Sequence, residues 1–186
     1  MEPLLAKPKR VNPLAMPGGG LTVRAFEPDD AGLLSAQLNM ADATHVMPDS
    51  VEKLLERTRF IAEMGPSASI YWGDHLIACG GLAETLCGVA EAWAIVGADV
   101  TRLALQRSFA RLAKRLLADW VFQNDYHRIY CCVPATSPKF YKWALFLGFQ
   151  YEATLQWAAG RNVDMWIFAK LIQKEIQEEI PWAWKH

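Results

Sequence analysis

The sequence is poor in cysteine, nearly balanced in charge and without a long apolar run. Its 186 residues carry a formal net charge of −1, which gives no overall attraction to nucleic acid or to an anionic membrane. No apolar run approaches the roughly 20 residues that a membrane-spanning helix needs. Basic residues near the N-terminus are not followed by an apolar stretch, so we expect no secretory signal peptide. We therefore expect neither direct nucleic-acid binding nor a membrane location.

The few cysteines do not form a recognisable site. None of their spacings resembles a zinc site, and no Ser-His-Asp, Cys-His or metal-binding constellation stands out elsewhere. Cys131 and Cys132 are adjacent on a predicted strand, so their side chains should point to opposite faces. We interpret the four cysteines as buried free thiols in a reducing cytosol; they are Cys79, Cys87, Cys131 and Cys132.

The sequence contains enough apolar residues to form one hydrophobic core. Hydrophobic residues make up 52% of the chain and charged residues 21%, which is typical of a single globular domain at this length. Residues 1–20 hold four prolines and a glycine triplet and are predicted to be an arm rather than a regular element. Residues 21–171 form the predicted domain. Residues 172–186 form a tail whose Trp182 and Trp184 should pack on the chain's own body or on a partner.

Hydrophobic periodicity predicts the element order β-α-α-β-β-β-α-β-α-β-β. Strands are expected at 21–26 and 89–96, and Gly73-Asp74 is typical of a two-residue hairpin. A long helix is expected from about Thr101 to Phe122. Its buried face is predicted to carry Leu105, Phe109, Leu112, Leu116 and Trp120.

The stretch SPKFYKWALFLGFQYEATL predicts a short helix that turns into a strand. Ser137 is expected at the N-cap and Pro138 at the first helical position. Leu147 should end the helix, with Gly148 as its left-handed exit.

This stretch, the strand HRIYCCV before it and the element order resemble the GNAT superfamily of acyl-CoA N-acyltransferases. The resemblance extends from Leu21 to Leu171 and implies an α/β (α+β) fold. The expected sheet is mixed, mostly antiparallel, has about seven strands and is flanked by helices. The segments MADATHVM, AWAIV and KWALFLGF are also similar to small GNAT-like proteins of tailed bacteriophages. Some of those are described as internal virion proteins, and others only by their acetyltransferase-like sequence.

The resemblance implies a cofactor site that this sequence fills incompletely. The pyrophosphate of acetyl-CoA should lie at the start of the long helix, where glycines expose backbone N–H groups. The matching stretch VGADVTRLALQRS has one glycine, Gly97, and offers Arg102 and Arg107 as charges. Pantetheine should pair with the backbone of Ile95 and Val96 where the fourth and fifth strands separate. Family members often bind it with an asparagine where this chain has Ser137, which could equally be a plain N-cap.

The family's usual general acid is also missing. The resemblance places a tyrosine four residues before the glycine of L-G-F, and that position is Ala144 here. Tyr141 lies one helical turn earlier, on a similar face, and is the candidate replacement.

A general base is needed because the acceptor amine must lose a proton before it attacks the thioester. The family often places a carboxylate at the start of the fourth strand, which makes Glu91 the leading candidate. Glu84 and His127 are the other possibilities.

Two functions follow from these features. In the first, the chain is a phage-type GNAT-fold protein with a degraded acetyl-CoA site and no expected cofactor. It then acts as a structural or assembly component in the virion or host cytoplasm, and its 1–20 arm and Trp182/Trp184 tail contact other virion proteins or copies of itself. In the second, it is an active acetyl-CoA-dependent N-acyltransferase with Glu91 as base. A third idea is that the basic helix face, with Arg107 and Arg111, meets an acidic partner.

Overall fold

The predicted element order is confirmed in the structure, a computed structural model that describes residues 20–35, 51–101, 103–158 and 162–172. The predicted arm up to residue 19, the tail beyond Ile172 and Arg102 lie outside this part of the chain. The strands are β1 (Leu21–Ala25), β2 (Ser67–Trp72), β3 (His75–Leu86), β4 (Val89–Val96), β5 (Arg128–Pro134), β6 (Gln150–Leu155) and β7 (Met165–Leu171). The described helices are α1 (Pro28–Ser35), α2 (Val51–Glu63), α3 (Leu103–Gln123) and α4 (Pro138–Leu147), with a 3-10 turn at Ala98–Thr101.

The strands form a single sheet in the order β1-β2-β3-β4-β5-β7-β6. β4 and β5 are parallel, and every other neighbouring pair is antiparallel. This arrangement confirms the mixed, mostly antiparallel α/β (α+β) fold. Gly73 and Asp74 make the predicted hairpin between β2 and β3, and Gly73 takes a positive φ of 60°, as such turns require.

The sheet is covered by helices on both faces, as the alternation along β4 shows. Ala90, Ala92 and Val96 pack in the larger apolar cluster, which includes α3 and α4. Trp93 and Ile95 pack in a smaller cluster with α1 and α2. Within the described part of the predicted α3 face, the buried side chains are Phe109, Leu112, Leu116 and Trp120.

The corner between α4 and β6 has the predicted geometry. Gly148 has a φ of 92°, in the left-handed region that a side chain with a Cβ atom rarely adopts. Its N–H donates to the carbonyl of Leu145 at 3.0 Å, and the N–H of Phe149 donates to that of Ala144 at 3.1 Å. The ring of Phe149 is then buried at the start of β6.

A buried carboxylate fixes α1 to β2. Asp30 is 7% exposed, and its Oδ2 accepts a hydrogen bond from the Ser69 hydroxyl at 2.5 Å. Its Oδ1 accepts one from the Tyr71 hydroxyl at 3.1 Å. The guanidinium of Arg24 lies 4.2 Å from the centre of the Tyr71 ring. Because a buried charge needs hydrogen-bond partners, this network holds the first turn of α1 in one position.

The cysteines are free, as predicted, but they are not uniformly buried. Cys79 is buried and Cys131 and Cys132 are half-buried. Cys87 is exposed because it lies in the turn between β3 and β4. Burial raises the pKa of the Cys131 thiol to about 12, with smaller contributions from Cys132 and Glu91.

Removing the Ser69 hydroxyl should destabilise the fold. We expect Ser69→Ala to lower the free energy of unfolding by about 2 kcal/mol, because it leaves a buried carboxylate with one donor fewer. Tyr71→Phe should cost about 1 kcal/mol, since Tyr71 is only half-buried. Urea denaturation measures both. Thr85→Ala removes an exposed hydroxyl and should change stability by less than about 0.5 kcal/mol; an equal loss in all three variants would contradict the role of Asp30.

The raised pKa of the Cys131 thiol predicts that the fold loses stability at alkaline pH. Its folded-state pKa of about 12 exceeds its ordinary value of 9.0, so the folded chain retains a proton that the unfolded chain releases. This contribution is fully present below about pH 9 and is lost as the pH rises towards 12. We expect the free energy of unfolding to fall by about 1 kcal/mol per pH unit in this window.

Urea denaturation at several pH values measures that slope, and Cys131→Ala should remove this part of it. Cys87→Ala changes an exposed thiol and is the matched control, which should keep the wild-type slope. An unchanged slope in Cys131→Ala would show that other groups cause the alkaline loss.

Candidate functional site

The candidate site lies where β4 and β5 part. The two strands pair only at Val89 with Arg128, Ala90 with Ile129 and Glu91 with Tyr130. Beyond those pairs each strand continues, as 92–96 and 131–134, with no pairing between them. The backbone N–H and C=O groups with which these two segments face each other therefore form no hydrogen bonds between the strands and are available to another molecule. The sheet thus contains a gap lined by backbone N–H and C=O groups.

Ser137 lies just after the end of β5, at the start of α4. It occupies the predicted N-cap position, yet its side chain makes no capping hydrogen bond. The residue is 8% exposed, and its Oγ atom has no hydrogen-bond partner. The side-chain hydroxyl oxygens of Thr22 and Ser137 and the indole nitrogens of three tryptophans share this condition among the described residues, so the predicted role of Ser137 in binding pantetheine stays a prediction.

The region expected to hold a pyrophosphate is a 3-10 turn followed by α3. Gly97 donates its N–H to the carbonyl of Ile77 at 2.8 Å, and its own carbonyl accepts from the N–H of Val100 at 3.2 Å. Val100 is buried. Arg107 lies on the exposed side of α3, so one of the two predicted arginines is accessible to an anion.

Glu91 lies at the last pair before β4 and β5 separate. Its side chain is half-buried. Among the described residues it makes no ion pair. It is close enough to Cys131 and Cys132 to help raise the pKa of both thiols, although desolvation is the larger cause. Glu91 therefore lies at the closed end of the gap, and its predicted role as a proton acceptor stays a prediction.

Arg57, on α2, also acts on Cys132 and lowers the pKa of its thiol. Sequence reasoning did not single out Arg57, because only the fold brings α2 close to β5. An arginine and a glutamate therefore lie near the same thiol.

Tyr141 packs against β7. Its ring makes edge contacts with Trp166 and Phe168, with ring centres 5.2 Å and 5.1 Å apart. Ala144 is buried. In the sheet, β5 lies between β4 and β7. The ring of Tyr141 therefore packs against β7 and not between β4 and β5. Its predicted role as a proton donor stays a prediction.

The alternative bases lie beside the start of β4, away from the gap. Glu84 accepts a hydrogen bond from the N–H of Gly88 at 2.9 Å, and the N–H of His127 donates to the carbonyl of Gly88 at 2.9 Å. Gly88 directly precedes β4, whereas the gap opens towards Val96, where β4 ends. Of the three candidate bases, Glu91 is therefore nearest to the gap.

Of the helices in the described ranges, none has the length and apolar character needed to cross a membrane. No group of three potential metal ligands is found within those same ranges.

Comparison with known proteins gives a clear result for the fold. Neither a family model nor a curated protein matches the sequence. Among solved structures, a GNAT-family acetyltransferase from Streptococcus pneumoniae is 14% identical, with a TM-score of 0.60 over 82% of this chain and 99% of that one. The protein yncA of Salmonella typhimurium, assigned as an acetyltransferase and solved with its cofactor acetyl-CoA, is 13% identical, with a TM-score of 0.65 over 85% and 97%.

RimL, a ribosomal L7/L12 α-N-protein acetyltransferase solved with coenzyme A, is also 13% identical. Its TM-score is 0.67 over 83% of this chain and 96% of that one. At such low identity these similarities show the shared architecture and nothing finer. The chain has the fold of the GNAT acetyltransferases.

Proposed function

We propose that the chain binds acetyl-CoA in the gap between β4 and β5 and transfers the acyl group to an amine. The observation that carries this proposal is the end of the strand pairing at Glu91 and Tyr130, although both strands continue. A pantetheine chain has amide groups that can pair with exposed backbone in such a gap. Two structures of the same fold were solved with acetyl-CoA and with coenzyme A, which supports this choice of ligand.

The residues around the gap fit this ligand in part. Ile95 is buried in the α1–α2 cluster, so its contribution would be its backbone, together with that of Val96. The Ser137 hydroxyl is buried without a partner and can bond a pantetheine amide or carbonyl. Arg107 is accessible to the pyrophosphate, and Arg102 is the second candidate for it.

The proposed chemistry uses one carboxylate. When bound, acetyl-CoA supplies an activated thioester carbonyl. Glu91 accepts the proton that the attacking amine must lose. Glu91 is the candidate for this role because it is half-buried at the point where β4 and β5 stop pairing. The departing thiolate leaves with coenzyme A, and Tyr141 is the candidate donor of a proton to it.

Titration calorimetry with acetyl-CoA tests the binding step. We expect micromolar affinity, and we expect Ser137→Ala to weaken it about tenfold through the loss of one buried hydrogen bond. Thr136→Ala removes an exposed hydroxyl from the neighbouring residue and should leave the affinity unchanged. Glu91→Gln should bind acetyl-CoA normally and lose amine acetylation. An absence of heat at millimolar acetyl-CoA would remove the proposal.

A second candidate function is a structural or assembly role in a phage particle, with the acetyl-CoA site degraded. Ala144, in place of a tyrosine, and the single glycine of the pyrophosphate segment favour it. In this role the 1–20 arm and the Trp182/Trp184 tail bind other virion or assembly proteins, or copies of the chain. No cofactor, nucleic acid or membrane is required, and the protein works in the virion or the host cytoplasm.

Quantitative mass spectrometry of purified particles tests this role. We expect a fixed copy number relative to the major capsid protein, because assembly components are held by stoichiometric contacts. An abundant host enzyme in the same sample serves as the carry-over control, and its amount should fall with each purification step. Loss of this chain in parallel with that control would exclude the assembly role.

A further inference from the structure

The solvent-facing side of α3 is basic, and acidic side chains pair with only part of its positive charge. Arg107 and Arg111 are exposed and separated by one helical turn, so their charges repel each other. None of the ion pairs formed among the described residues includes either of them. Lys114 is exposed on the same helix. A chain with a net charge of −1 thus concentrates positive charge on one helix.

α4 extends this basic stripe sideways. The ammonium of Lys114 lies 5.1 Å from the centre of the Phe146 ring, which places the two helices side by side. Lys142, one turn before Phe146 on α4, is exposed and takes part in no described ion pair. We refer to Arg107, Arg111, Lys114, Phe122, Lys142 and Phe146 as the α3–α4 surface.

This surface is apolar as well as basic. Phe122 is 88% exposed near the end of α3, and Phe146 is 45% exposed on α4. A segment bound over the cations of this surface would therefore also contact apolar rings. A polyanion without apolar groups would bind the arginines and lysines but would leave the aromatic rings exposed to water. The mixture is therefore better matched by an acidic peptide that also carries apolar side chains.

Such a peptide occurs in this chain, in residues 173–186. The segment contains three glutamates and two isoleucines, followed by two tryptophans; these are Glu175, Glu178, Glu179, Ile176, Ile180, Trp182 and Trp184. Lys174 and Lys185 lie on either side of this stretch, so the acidic character is confined to residues 175–179. Its acidic residues match the exposed cations, and its apolar residues match the exposed rings.

The described chain ends close to this surface. The N–H of Ile172 donates to the carbonyl of His127 at 2.8 Å, just after α3 has ended at Gln123. The 14 residues that follow can span up to about 48 Å when extended. The 21 residues of α3 are only about 30 Å long. The segment as a whole can therefore span α3. Glu179, seven residues after Ile172, can extend about 24 Å from it, which is enough to reach Arg111, about 18 Å before the end of α3.

We propose that residues 173–186 bind the α3–α4 surface of the same chain. The glutamates pair with Arg107, Arg111 and Lys142, and the tryptophans cover Phe146. Because the segment is tethered, its effective concentration at the surface is about millimolar, so even a weak contact is occupied. Any particle contact that uses the tryptophans then requires the segment to be released. Because Arg107 is also a candidate to bind the pyrophosphate of acetyl-CoA, the two would compete at this residue, and the contact is tested without acetyl-CoA.

Hydrogen-exchange mass spectrometry on the full-length chain tests the contact. We expect the amides of residues 173–186 to exchange about tenfold more slowly than in the free peptide of the same sequence. Arg107→Glu with Arg111→Glu should abolish this protection, and reversal of Glu178 and Glu179 to lysine in that variant should restore it. Arg59→Glu reverses an exposed arginine on α2 and is the control for a general charge effect.

The result also distinguishes the possible occupants. Protection that stays constant over about a hundredfold range of protein concentration supports binding within one chain. Protection that rises with concentration would show that a second copy is the occupant and would overturn the proposal. Exchange at the rate of the free peptide, or equal loss of protection in Arg59→Glu, would overturn it too.

Discussion

The parting of β4 and β5 is the constraint on which the rest of the site depends. In a continuous sheet each backbone N–H and C=O finds a partner on the next strand, and an unpaired buried group is costly. Here the pairing stops at Glu91 and Tyr130, while helices pack on both faces. The unpaired backbone groups therefore lie in the middle of the sheet and not on one of its edge strands. A polar molecule that enters the gap gains hydrogen bonds that the protein alone cannot make.

The elements around this gap could be predicted because their signals are local. Gly148 ends α4 since few other residues adopt its backbone angles. Pro138 starts the same helix because its missing N–H costs nothing there. The buried face of α3 follows from the 3.6-residue period of its apolar residues. Each of these choices is dictated within a few positions along the chain.

The contacts that position the site could not be predicted in this way. Asp30 meets Ser69 across a sequence separation of 39 residues, and the charge of Arg57 acts on the Cys132 thiol only because α2 packs near β5. The position of Ser137 was predicted from sequence, but the direction of its hydroxyl was not, because that depends on what surrounds the helix start. Nothing in the side chains of β4 and β5 shows where their pairing ends. Local patterns specify elements, whereas the site depends on how distant elements meet.

In the proposed ligand site, pantetheine binding depends less on the amino-acid sequence than pyrophosphate binding and proton donation do. Pantetheine would be held mainly by backbone groups, which almost any residue supplies, so this half of the proposed site depends little on the identity of the side chains. Pyrophosphate binding and proton donation require particular residues, such as the glycines and the tyrosine that this chain lacks at the matching positions. Binding and transfer are therefore separable in this fold. In the proposed site, a substitution that removes proton transfer can therefore leave the backbone contacts to pantetheine in place.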